Sequence, residues 1–144
     1  MTMTLARAED ALFQDVLGAR TRAVEKAVID RQTTGEKSLT VVVERMAELF
    51  DTTKRDTYLV LGITSSKVSR RPEMDVEILD RAGAALKLYA RVSSMSGGNA
   101  SASEWFGRPN LHLDGRRPLD LLSSSLGRQR LSSMVTALED GAFL

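Results

Sequence analysis

From Leu5 the chain reads LARAEDALFQDVLGARTRAVEKAVIDRQ, with Leu5, Ala8, Leu12 and Val16, then Val24, Val28 and Ile29, at helical spacing. That period places them on one face of a helix, and the break near Gly18 predicts an amphipathic helical pair. Thr33 to Lys37 (TTGEK) is polar and contains Gly35, so a turn is expected there. From Ser38 the stripe strengthens through Val42, Met46, Leu49 and Phe50, with Ser38 placed to cap the helix start. The β-branched run Val41 to Val43 lowers helix propensity only slightly.

Next come a short apolar helix through Tyr58-Leu59-Val60-Leu61, then Gly62-Ile63-Thr64, then Ser65 to Arg71 ending at Pro72. A glycine can close the first helix in the left-handed conformation, Ile63 can drop into the core, and the Thr/Ser run can cap the second helix. This is the sequence outline of a helix-turn-helix, with Val68 facing the partner helix. Ser65, Ser66, Lys67, Ser69, Arg70 and Arg71 are the candidate DNA-contacting residues, because small hydroxyls beside cations can bond phosphates and base edges. An ordinary helical hairpin with a solvated second helix fits the same pattern. Tyr58 stands four residues before the glycine, where helix-turn-helix proteins usually carry a small residue, which predicts a splayed crossing. Glu73, Asp75 and Glu77 follow the basic run and reduce its potential, so weak or dimer-assisted DNA binding is expected.

Asp75 can cap a long helix from Val76 to about Ser94, with Ile78, Leu79, Ala82, Leu86, Tyr89 and Ala90 on its apolar side. It is the expected spine. SSMSGGNASAS, Ser93 to Ser103, has the composition of a flexible linker, although a surface loop within one domain has the same composition. Taking it as a boundary divides the chain into a helical arm at 1–36, a helix-turn-helix domain at 37–95 and a C-terminal domain at 96–144. In the last part Trp105 is expected as a core anchor beside Phe106. Gly107 to Arg117 reads as a turn-rich loop anchored by Leu111 and Leu113. Pro118 suits a first helical position, with Asp120 complementing the helix dipole and Leu119, Leu121 and Leu122 buried. A Ser cluster at 123–125 caps a final helix whose Leu126, Leu131, Met134, Val135 and Leu138 form one face and which Gly141 closes. The apolar Phe143 and Leu144 beyond it are either docked on the core or offered to a partner.

The helical patterns together predict an all-α fold. At 144 residues there is room for one compact domain or two small ones, and oligomerisation, most simply a homodimer, is expected. A net charge of +1 gives no global basic field, so nucleic-acid binding must come from a local patch. With no cysteine there is neither disulfide nor thiolate chemistry, which suits a cytoplasmic setting. No window approaches the ~20 apolar residues of a spanning helix, so a soluble protein without membrane attachment is expected. The one histidine, His112, lies between two leucines with no nucleophile or ligand beside it in sequence, and no phosphate-binding glycine loop occurs. Glu44, Glu48, Asp51, Asp75 and Asp80 occupy helix-surface positions, where carboxylates are solvated or paired. The expectation is a protein with no catalysis, cofactor or metal.

Across about Ser38 to Leu144 the chain resembles the Xre/ParS-type antitoxins of RES–Xre toxin–antitoxin modules. The match runs through LVLGITSSKVSRR and EILDRAGAALKLYA, then through Pro109, Asn110, Leu113, Gly115, Pro118, Leu119, Asp120, Leu121, Leu122, Gly127, Gly141 and Phe143. The resemblance implies a helix-turn-helix domain followed by a small helical toxin-binding domain. It also implies a RES-domain, NAD-consuming toxin as partner, whose active site is covered, and operator DNA through which the module's operon is repressed. On this reading the toxin-contacting candidates are Asn110, Leu113, Arg116, Arg117, Asp120, Phe143 and Leu144, with Arg116 and Arg117 as exposed fork donors. Family members often carry a hydroxyl residue before the proline, where this chain has Arg117, and a more helical connection where it has 93–103. A stand-alone helix-turn-helix regulator with a C-terminal dimerising or partner-sensing domain remains the rival reading.

Overall fold

A computed structural model describes residues 4–33 and 37–141, and all regular structure among them is helical. The turn expected at 33–37 and the terminal Phe143 and Leu144 lie wholly or partly outside the described residues.

The first two helices, α1 (Leu5–Leu17) and α2 (Thr21–Ile29), form the expected pair, separated where Gly18 takes φ +76°. α2 begins after Arg20, which supplies no side-chain cap. The missing acceptor comes from α1 instead: Asp10 Oδ1 accepts the Thr21 N–H at 3.1 Å, tying the start of one helix to the side of the other. Ser38 caps α3 (Leu39–Phe50) by accepting the Val41 N–H. α4 (Lys54–Leu61) and α5 (Ser65–Arg70) follow, and Asp75 caps α6 (Val76–Ser96), accepting the Ile78 N–H at 2.9 Å.

α6 is the spine. It packs against α1, α2, α4, α7 (Asn99–Gly107) and α9 (Ser125–Glu139). Small residues on it allow the close approach: a β-carbon at Gly83 would lie 3.5 Å from Phe13 and 3.6 Å from Val24. The core is one continuous cluster running from Phe13 to Val135.

The stretch 93–103 is not a flexible linker. α6 continues through Ser96, only Gly97 and Gly98 leave helical geometry, both at positive φ, and α7 starts at Asn99. The physical reason is Tyr89, fully buried on α6. Its hydroxyl lies 2.8 Å from the Asn99 carbonyl, 2.7 Å from Ser103 Oγ and 3.0 Å from the Leu49 carbonyl, to which Ser103 also donates. Ser93 Oγ adds a bond to Asn99 Oδ1, and Ala102 is buried. Small residues that look like a linker in sequence thus serve as a close-packing surface. Phe50, Tyr89 and Phe106 meet ring to ring at 4.8 to 5.8 Å, joining α3, α6 and α7. Phe106 is the buried anchor of α7, while Trp105 is only half-buried and packs edge-on against it.

Three leucine-type expectations are corrected. Leu113 is buried as an anchor, but Leu111 is 93% exposed because residues 111–113 form a 3-10 turn rather than an extended alternation. Leu126 is 79% exposed, since it precedes the stretch where α9 meets the core through Leu131, Met134 and Val135. Ile29, at the end of α2, is 78% exposed.

Candidate functional site

The α4–α5 unit is built by local chemistry. Gly62 closes α4 at φ +68°, with the Ile63 N–H donating to the Tyr58 carbonyl at 2.9 Å. Arg81 on α6 donates to the Leu61 carbonyl at 3.2 Å, placing a cation at the helix C-terminus. A β-carbon at Gly62 would push that guanidinium aside, and the positive φ is what calls for glycine there. Thr64 Oγ1 then accepts the Lys67 N–H and starts α5. No α5 residue is buried, Ile63 and Val68 pack against the core's edge, and Tyr58 is half-buried beside them. Ser65, Ser66, Ser69, Arg70 and Arg71 are exposed. Lys67 is partly engaged by Asp75 at 3.5 Å, the same carboxylate that caps α6. The six candidate residues therefore share one short helix and its C-terminal edge, with the anticipated acidic neighbour directly coupled to one of them.

The second cluster is the loop after α7. Asn110 organises it: its N–H donates to the Arg116 carbonyl, its own carbonyl accepts from Leu113 and Gly115, and its side-chain oxygen accepts the His112 N–H at 2.9 Å. Asp114 and Gly115 take successive positive φ values of 58° and 80°, which turns the chain back. With Leu113 buried beneath, the loop is pinned from inside. Asn110 and Leu113 thus shape the surface, whereas Arg116 is exposed on it.

Arg117 behaves differently from the exposed donor expected of it. It precedes α8 (Pro118–Leu121), and its side chain is 32% exposed. Its guanidinium donates to both oxygens of Asp56 at 3.2 Å and to both oxygens of Asp120, at 3.2 and 2.7 Å. Asp120 also accepts the Arg117 N–H at 3.2 Å, which serves the helix start in place of a hydroxyl cap. Asp56 sits in the first turn of α4 and Asp120 in the first turn of α8, so one guanidinium bridges carboxylates at two helix N-termini. Hydrogen bonds from Arg117 and from Thr52 hold the Asp56 carboxyl below the usual carboxylate range, against the opposing effect of burial. The two carboxylates in turn make Arg117 hold its proton more firmly than a free arginine.

α9 is seated against α8 by Gly127, where a β-carbon would overlap the Leu121 carbonyl, and Ser124 caps it by accepting the Gly127 N–H. Arg130 reaches back from α9 to the His112 carbonyl at 3.1 Å. Of the residues that build the site, Tyr89 carries a signal in sequence, because a buried tyrosine hydroxyl demands a partner; Asp56 and Arg130 carry none. Among the described residues no cluster of His, Cys, Asp or Glu could hold a metal ion, and no helix is long and apolar enough to cross a membrane.

No curated protein matches the chain. Residues 89–141 do match the model of one family, the antitoxin Xre/MbcA/ParS C-terminal toxin-binding domain. The match begins at Tyr89, the residue that pins α7 to the spine, and takes in the Asn110 loop, the Arg117 bridge and all of α9. Over residues 89–141, then, the chain is similar to the toxin-binding domain of the Xre/MbcA/ParS antitoxins.

Proposed function

We propose that the chain neutralises a RES-domain, NAD-consuming toxin by laying the surface around the 110–117 loop, α8 and the start of α9 over the toxin's active site. The observation that carries the reading is the family match, which coincides with a rigid, outward-facing loop. The RES identity of the toxin follows from the sequence resemblance. Within the surface Arg116 is the exposed cation that meets the partner, while Asn110, Leu113, Arg117 and Asp120 hold the loop and α8 in shape. Phe143 and Leu144, beyond the described residues, are proposed to extend the same contact. The chain performs no chemistry of its own and acts in the cytoplasm.

The α4–α5 unit is proposed as a helix-turn-helix through which a homodimer represses its own operon. The exposed Arg70 and Arg71 and the hydroxyls of Ser65, Ser66 and Ser69 supply phosphate and base-edge contacts, with Lys67 partly restrained by Asp75. Co-expression with the product of the neighbouring open reading frame tests the reading. Restored growth and cellular NAD, with co-elution of the two chains, is the expected result. No toxicity to rescue and no complex would favour a stand-alone regulator instead.

A further inference from the structure

Within the family-matched segment, two leucines are turned outward: Leu111 is 93% exposed and Leu126 is 79% exposed. One side chain joins their positions. Arg130 lies one turn beyond Leu126 on the same face of α9. Its guanidinium donates to the carbonyl of His112, the residue after Leu111, at 3.1 Å, and stands 3.9 Å from the Asp114 carboxylate. The leucines therefore flank an arginine. Arg116, at the base of the same loop, is exposed, and no side chain among the described residues holds its guanidinium. Singly exposed apolar residues are ordinary. Here, however, an apolar pair is interleaved with arginines on a loop already fixed by Asn110, so little ordering remains to be done on binding.

We propose that Leu111 and Leu126 are the apolar anchors with which the chain grips its protein toxin, and that Arg116 and Arg130 meet an acidic rim on that toxin. The inference rests on the antitoxin reading and assigns it a surface. The match of residues 89–141 to a toxin-binding domain favours a protein toxin over a second copy of this chain as the occupant.

The test uses the full chain, titrated against the purified product of the neighbouring open reading frame. Leu111→Gln and Leu126→Gln are each expected to weaken binding at least 10-fold, and the double variant at least 100-fold, with unchanged helicity and thermal midpoint. Ile29→Gln, at a position 78% exposed on α2, serves as control and is expected to leave affinity within twofold. Double-variant binding within twofold of the parent, or an equal loss in the Ile29 variant, overturns the patch. A double variant that alters oligomeric state but not toxin affinity identifies a self-association face and overturns it as well. A parent that binds no toxin brings down the antitoxin reading and the patch together, whereas a parent that binds alongside unaffected leucine variants brings down the patch alone.

Discussion

Replacing Arg117 with alanine removes the guanidinium that pairs with both Asp56 on α4 and Asp120 on α8. Four hydrogen bonds to carboxylate oxygens are lost, and Asp56, 19% exposed, keeps Thr52 as a side-chain donor. Hydrogen bonds to charged groups contribute about 1.5–3 kcal/mol each when well buried, but partial exposure and screening reduce this strongly. Stranding a half-buried carboxylate works the other way. The balance gives a loss of about 2 kcal/mol, equivalent to roughly 6–8 °C in thermal midpoint for a chain of this size. Thermal and urea denaturation read it directly. A double-mutant cycle with Asp56→Asn should return a coupling of about 1 kcal/mol or more. The pH dependence has a defined sign: because Asp56 is held below its ordinary range in the folded chain, its contribution is present at neutral pH. That contribution is lost as pH falls from the unfolded carboxylate value through the lower folded one. The Arg117 variant should therefore show a flatter acid limb. Exposed Arg116→Ala should change stability by less than about 0.5 kcal/mol. If the two arginine variants are equally stable, the bridge between α4 and α8 contributes nothing and the reasoning fails.

Tyr89→Phe keeps the ring cluster but removes the hydroxyl shared by Asn99 and Ser103, so stability should fall by about 1–2 kcal/mol. Amide exchange at 97–103 should accelerate more than exchange in α9, and uniform acceleration would contradict the proposed pin. Gly127→Ala forces a methyl toward the Leu121 carbonyl and should cost about 1–3 kcal/mol, measured by urea unfolding; a neutral result would mean that α8 and α9 can separate freely. Lys67→Ala with Arg70→Ala should weaken operator binding and lower the salt slope by about 2, leaving toxin affinity unchanged; an unmoved DNA affinity would remove α5 from the recognition surface.

Helix starts were legible because capping is local. Ser38, Asp75 and the serines before α9 each announce a helix within three residues, and Gly62 announces a stop. The spine was legible for the same reason, since a 21-residue helix repeats its period often enough to be unambiguous. Short irregular segments were not. Leu111 and Leu113 look equivalent in sequence, and only the 3-10 turn held by Asn110 decides which is buried. The small residues of 93–103 fit a linker by composition, while the hydroxyl that organises the stretch comes from Tyr89. In sequence Arg117 looks like a free surface donor because its counterion lies 61 residues away on α4, a pairing that no local pattern encodes.

If this surface closes the toxin's active site as proposed, NAD consumption by the purified toxin will stop as the full chain is titrated in. Complete inhibition, saturating at a fixed ratio of the two chains and shifted to higher concentration by the Leu111 and Leu126 variants, is the predicted result. A stable complex that consumes NAD as fast as free toxin would refute closure of the active site by this surface.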